Sequence, residues 1–459
     1  MNEKTMVKDL TQGSIAKTLI NYAAPILLAN TLQAVYNLVD MMVMGQVEGG
    51  VGMAAVSIGG EIVQLATFLL IGFTVAGQII LAQLVGAQKR ESIKRMIGTI
   101  FVVTIIMAVC MLAICLIFGN TFLRLLNADP LAAPLAKTYY LTCICGIFFI
   151  AGYNMVCAVL RGMGDSRRPL YFVAIASVLN TVLDILFVAV FRWSAFGAAL
   201  ATVIGQSVSF FVALAYLYRR RESFGFDFKL SSFRVYKEEL VPLIKLGIPM
   251  SIQMASVTVS KAVLAAWINS SGYAYSALNG IFSKLGMFMG VISSSFSTAG
   301  GASVAQCIGA KKIERVPKIM GMVFLITGVI CGTVSLMVYL FPEFVFELFT
   351  KDMTVIDISG VLVVPVVICM MGGVGRSVGF SLVNGSGNSR LNLIVALFDG
   401  IVARIGFSYV MGFLLNMSVR GFWLGDALAG YMPFAVGIVF YFTGRWKDNS
   451  RLIKDNKTV

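Results

Sequence analysis

Apolar residues run through this chain in continuous blocks of roughly twenty or more positions, parted by short polar stretches, with no sustained alternation of apolar and polar residues. Twelve such blocks are legible, at about 15–42, 51–77, 93–119, 134–157, 168–192, 194–218, 241–268, 275–301, 316–342, 357–383, 390–414 and 420–443. Each is long enough as a helix to cross about 30 Å of hydrocarbon. A transmembrane β-barrel would instead alternate apolar and polar positions over about ten residues. The pattern therefore predicts an all-α polytopic membrane protein with twelve transmembrane helices. Lys4, Lys8 and Asp9 precede a first block too long for a signal core, so that span is expected to stay in place.

The polar stretches also repeat. Ala82-Gln83-Leu84-Val85-Gly86-Ala87-Gln88-Lys89 returns at Ala305 to Lys312, and Gly162-Met163-Gly164-Asp165-Ser166-Arg167 returns as Gly385-Ser386-Gly387-Asn388-Ser389-Arg390, both at an offset of 223. Leu19 and Pro25 recur as Leu243 and Pro249 at 224. A duplicated six-span unit follows: an amino-terminal lobe over 1–218, a basic linker over 219–240 and a carboxy-terminal lobe over 241–459. Six spans is an even number, so equivalent loops leave on the same face and the two bundles are expected to be related by a pseudo-two-fold axis along the membrane normal. This is the plan of a transporter that rocks two lobes about a central cavity. The Gly-x-Gly elements follow membrane helices rather than strands and do not read as nucleotide loops.

Composition agrees with the bilayer. The chain is 58% hydrophobic and 13% charged, with a mean hydropathy of +0.87, too little polar material to cover a water-soluble globule of 459 residues. Lys and Arg crowd the amino terminus, every second loop, the linker and the tail. The intervening loops hold only Arg124, Lys137, Arg192, Lys351 and Arg420. Basic loops stay in the cytoplasm, which puts both termini there and the chain in the cell membrane. The net charge of +14 then reflects topology and attraction to anionic membrane lipid; no aromatic-interleaved basic domain points to nucleic acid.

The chain has no histidine, which removes His general bases and His-ligated metals. Its eight cysteines lie mostly within apolar blocks without zinc-site spacing. Ionisable residues inside spans are costly and mark function. Asp40 shares a helical face with Tyr36, and Asp184 with Asn180, at i,i+4 spacing. Thr202 supplies a hydroxyl at a similar apparent depth. Carboxylate, amide oxygen and hydroxyl are hard ligands suited to Na⁺, and a buried carboxylate pair can equally carry H⁺. Glu61 lies inside the first lobe's second span; Lys261, Lys284, Arg376, Asp399, Arg404 and Asp426 lie inside spans of the second. Glu61 and Lys284 are repeat-equivalent at an offset of 223, and are read as an inter-lobe gate pair; Lys261 and Arg376 are read as gate or cavity residues.

At these positions the chain resembles the multidrug and toxic compound extrusion (MATE) family. The resemblance rests on Pro25 with Asp40, the Ala82-Gln83 to Lys89-Arg90 loop, Arg161-Gly162-x-Gly164-Asp165-Ser166-Arg167-Arg168-Pro169 and Asn180-x-x-x-Asp184. It implies export of organic, often cationic, compounds against inward H⁺ or Na⁺. It also implies a cation site at Asp40, Asn180, Asp184 and Thr202, supported by Tyr36 and Asn154, and a helix that bends at Pro25. Another branch of the family carries acids in spans seven and ten, where this chain has Lys261 and Arg376; the difference favours the DinF-like bacterial branch. The expected partners are small-molecule drugs or toxins and membrane lipids. The protein is expected to be monomeric, without cofactor and not an enzyme. The rival readings are a lipid or lipid-linked oligosaccharide flippase, with Lys261, Lys284, Arg376 and Arg404 holding a pyrophosphate, and a membrane-embedded enzyme, which would lack a recognisable nucleophile and base.

Overall fold

A computed structural model of the chain describes residues 8–126, 129–224, 226–350 and 352–447. Lys4, Lys351 and the basic tail beyond 447, used above in assigning the topology, lie outside them. Among the described residues the regular structure is helical throughout. The main helices are α1 (Ile15–Gly86), α2 (Arg90–Leu125), α3 (Ala133–Cys145), α4 (Ile147–Gly162), α5 (Arg167–Asp184), α6 (Ser194–Arg219), α7 (Lys237–Asn269), α8 (Tyr273–Gly309), α9 (Arg315–Leu340), α10 (Gly360–Ser386), α11 (Ser389–Leu397), α12 (Ala403–Tyr409), α13 (Ser418–Ala429) and α14 (Met432–Phe442).

Nine of the described helical stretches are long and apolar enough to span a bilayer, and the α3/α4 pair, bent by 52°, makes ten. Gly49, at φ 65° and ψ −151°, divides the 72-residue α1 into two spans. The twelfth is α8, whose Ser- and Gly-rich face lowers its hydropathy. Its buried Ser295 and Ser303 hydroxyls donate to Val291 and Ala299 carbonyls one turn back, so small polar side chains cost this helix little inside a membrane. The helix count matches the reading from the sequence.

The backbone repeats with the sequence. Left-handed residues recur in pairs: Gly49 and Gly272, Gln88 and Lys311, and Gly164 and Gly387 at an offset of 223, then Arg192 and Asn416 and Ser194 and Ser418 at 224. The extra residue enters between Gly387 and Asn416. A π-helical turn at Phe398–Val402 lies there, and its counterpart in the first half is regular α-helix within α5. A π turn inserts one residue into a helix, which accounts for the shift of register. The other π turns, Ile185–Val190 and Val410–Leu414, are themselves repeat partners.

The described residues divide into two compact units, one of Lys8 with 24–247 and the other of 9–23 with the described residues from 248 on. Two of the three breaks, before Ala24 and before Ile248, fall one residue ahead of a repeat-equivalent proline, Pro25 and Pro249. In the first unit the linker docks on α2: Phe226, Phe228 and Phe233 cluster around Phe101, and the Tyr236 amide donates to Thr99 Oγ1 at 3.4 Å. In the second unit the segment before α1 lies along the α8–α9 turn. The Leu10 amide donates to Gln306 Oε1 at 2.9 Å, and Lys312 Nζ to Thr11 Oγ1 at 2.9 Å.

Small residues let these helices approach closely, as packing in lipid requires. A Cβ on Gly425 of α13 would stand 2.3 Å from the Ser408 amide nitrogen and 2.4 Å from its Cα. Gly425→Val is therefore expected to cost about 1–3 kcal/mol or more by overpacking. A thermal melt of the purified protein would show this as a clear loss against the wild type.

Candidate functional site

The first unit gathers its acids around the end of α5. Asp184 closes that helix immediately before the π turn, and both it and Asp40 of α1 are buried. The Tyr139 hydroxyl of α3 donates to Asp40 Oδ2 at 2.9 Å. Asn180 lies one turn before Asp184, with Nδ2 3.3 Å from Thr202 Oγ1 of α6. In the amide orientation that satisfies both of its ends, Asn180 donates to Asp184 Oδ2 at 3.2 Å and accepts from the Thr202 amide at 3.2 Å. Gly205 makes room for this contact, since a Cβ there would already meet Ala176 O at 3.2 Å and Asn180 Cβ at 3.4 Å. The two carboxylates lie within electrostatic reach of each other.

What the site leaves unmet is chemically informative. Asp40 Oδ1, Asp184 Oδ1 and Gln206 Oε1 are buried without a hydrogen-bond partner. Buried acceptors are normally paired, and a buried carboxylate needs a compensating positive charge. An Asp pair with an adjacent amide and hydroxyl offers hard oxygens, so the donor set fits a proton or a sodium ion. Among the described residues no three His, Cys, Asp or Glu side chains form a group able to hold a metal.

Tyr36, buried, accepts from Gln206 Nε2 at 3.3 Å and from Gln33 Nε2 at 3.5 Å, tying α1 to α6. Asn154, expected to support the acids, donates its amide to Ile150 O on its own helix at 2.8 Å. Sequence reasoning missed Tyr139 and Gln206. Gln206 carried a signal, because it lies one turn beyond Thr202 on the same face of α6; Tyr139 carried none, since its contact crosses between helices. Glu61 and Lys284 are both exposed within their own units. The helix around Pro25 keeps helical φ/ψ, the one non-helical residue in α1 being Gly49.

Tyr139→Phe would leave Asp40 Oδ2 without its donor, at a cost of about 1–3 kcal/mol. The melting temperature is expected to fall, and a cation taken up by the acid pair, Na⁺ or H⁺, to restore part of the loss when it is supplied. Equal losses with and without it would contradict this role.

The second unit builds something different on the same frame. With the register shifted to 224, Asn180 corresponds to Arg404, Asp184 to Ser408 and Thr202 to Asp426. Arg404 is buried and pairs through Nη1 with Asp426 and through Nη2 with Asp399 Oδ1 at 3.2 Å. Arg376 Nη2 reaches the same Asp399 oxygen at 2.6 Å. Asp399 itself sits within the inserted π turn. Where the first unit shows a carboxylate pair with open oxygens, its repeat counterpart holds a guanidinium clamped between two carboxylates.

The MatE family model matches this chain twice, over residues 25–186 and 249–410. The chain belongs to the MatE family. The two matches start and end 224 residues apart, which ties the duplication to the family domain. Members of the family are transporters, so this chain is a multi-pass membrane transporter and not an enzyme. It is 28% identical over 444 residues to a Bacillus subtilis protein named as a probable multidrug resistance protein, YpnP, covering 96% of this chain and 97% of that one. It is 24% identical over 341 residues to the NorM protein of Thermotoga maritima, also named as a probable multidrug resistance protein, covering 70% of this chain and 69% of that one. In fold it is similar to a MATE crystal structure in the bent conformation, with a TM-score of 0.86 at 23% identity over 98% of this chain and 99% of that one.

Proposed function

We propose that this MatE-family transporter is a secondary active antiporter that exports organic, often cationic, compounds in exchange for H⁺ or Na⁺ by alternating access, with both termini in the cytoplasm. The observation that carries the reading is the pair of buried acids, Asp40 and Asp184, each with an unpaired oxygen. A buried negative pair is stable only when a cation compensates it, so the site should alternate between occupied and vacant states as the lobes move. The relatives named for multidrug resistance support organic drugs as the cargo class.

In this mechanism the coupling ion enters from outside and binds Asp40, Asp184, Asn180 and Thr202. α1 then repacks. Pro25 lies in α1 and cannot donate to the Asn21 carbonyl, leaving a point where the helix bends at low cost. Repacking α1 lowers affinity for cargo, which leaves outward. By linkage, cargo weakens ion binding by the same factor. The test is efflux from proteoliposomes under separately imposed pH and sodium gradients: one gradient should drive export, and export under neither would refute antiport.

A further inference from the structure

We propose that the second lobe holds an anion-accepting site, built from Lys261 and Arg376, that takes the carboxylate of an organic acid or zwitterion. The inference rests on the exporter reading above and narrows its cargo class. It comes from a balance of charge. Arg376 of α10 and Arg404 of α12 share Asp399, Arg404 also pairs with Asp426, and the Ser260 hydroxyl reaches the Gly400 carbonyl next to Asp399, which brings Lys261 of α7 beside this cluster: three positive groups against two negative. Asp426 is taken by Arg404, and Asp399 lies between Arg404 and Arg376. Lys261 is left without an ion-pair partner among the described residues, although Arg404, Arg376 and Asp399 all lie within electrostatic reach of its ammonium.

An uncompensated ammonium within a membrane helix is costly unless it meets water or an anion. Lys261 keeps accessible surface, and a quarter of the Arg376 side chain is accessible, whereas Arg404 is closed off. The two reachable cations are therefore the ones a ligand can meet. Their placement is built into the packing. Gly400, in the π turn with Asp399, approaches α7 so closely that a Cβ would stand 2.4 Å from Ser256 Cβ, and the Ser260 hydroxyl donates to the Gly400 carbonyl. That contact anchors α7 beside Asp399, one residue before Lys261.

The neighbouring contact between α8 and α10 is closed: Phe282, Leu285, Met289, Val366 and Met370 are buried there, with Cys369 packed against them. Cys369 lies seven residues, or two helical turns, before Arg376 on the same face of α10, so this packed core holds the helix that carries Arg376. An acid-bearing ligand would place its carboxylate at Lys261 and the accessible part of Arg376. The first lobe, with two open carboxylates, calls for a cation; the second, with an excess ammonium, calls for an anion.

The test uses the full chain in nanodiscs of phosphatidylcholine and a matched pair of probes: a fluorophore bearing a carboxylate, and its methyl ester. Fluorescence anisotropy should show the acid binding about ten-fold or more tightly than the ester, as a charge-assisted contact implies. Lys261→Gln should erase the preference and Lys261→Arg should restore most of it, with thermal melting confirming that each variant folds. Equal affinities for acid and ester in the wild type would overturn the proposal without recourse to any variant. So would a preference untouched by Lys261→Gln. If anionic phosphatidylglycerol in the nanodisc abolishes the preference, the site belongs to lipid phosphate and the cargo assignment falls. Asp40→Asn separates this claim from the antiport reading, since it should stop transport yet leave the acid-over-ester binding ratio unchanged.

Discussion

Asp40→Asn is expected to reduce gradient-driven export to the level of vesicles lacking the protein, while the variant still folds and reaches the membrane. The substitution preserves shape and keeps an oxygen for the Tyr139 hydroxyl, which lies 2.9 Å from the wild-type carboxylate. What it removes is the charge that attracts a cation. Coupling between two sites in one protein is typically worth a factor of roughly 5–150, and that factor should vanish with the charge. Asp184→Asn should behave alike. The two substitutions together should be little worse than either, because residues that act as one unit are not additive. Efflux measured in everted vesicles decides the matter, and near-normal export by either single variant would refute the role given to these acids.

Arg404→Leu is expected to have the largest effect on folding. Arg404 is 3% exposed and is shared by Asp399 and Asp426, which are 1% and 7% exposed at their side chains. Removing one member of a buried ion pair leaves an uncompensated charge and costs about 3–5 kcal/mol. The variant should express poorly and melt far below the wild type. Replacing Asp426 by Leu in the same chain should recover much of the loss, since Asp399 retains Arg376 at 2.6 Å. A single variant that melts within a degree or two of the wild type would show that the network contributes little.

Much of the architecture was legible in the sequence because lipid permits few solutions: continuous apolar blocks can only be helices, and a repeated loop sequence reports duplication. The buried acids of the first unit were also legible in part. Asp40 with Tyr36 and Asp184 with Asn180 each announce themselves by one-turn spacing, and the depth of Thr202 follows from its place in its span. The donor to Asp40 was not legible, because Tyr139 reaches it from another helix and no local spacing records that contact. The second lobe was harder for a related reason. Its charged residues were all visible, but at a constant offset of 223 Arg404 aligns with Thr181, and only the π turn at Phe398–Val402 brings it into register with Asn180. The span in α8 was legible as the block at 275–301 despite its serines, which satisfy themselves on their own backbone.

The most direct test of the central claim is ion release on cargo binding by purified protein, followed with a pH dye in weakly buffered solution and, in parallel, by displacement of radioactive sodium. Cargo should release one of the two ions from the wild type and neither from Asp40→Asn or Asp184→Asn. Equal release by wild type and variants, or none by the wild type at saturating cargo, would contradict a coupling site at this pair.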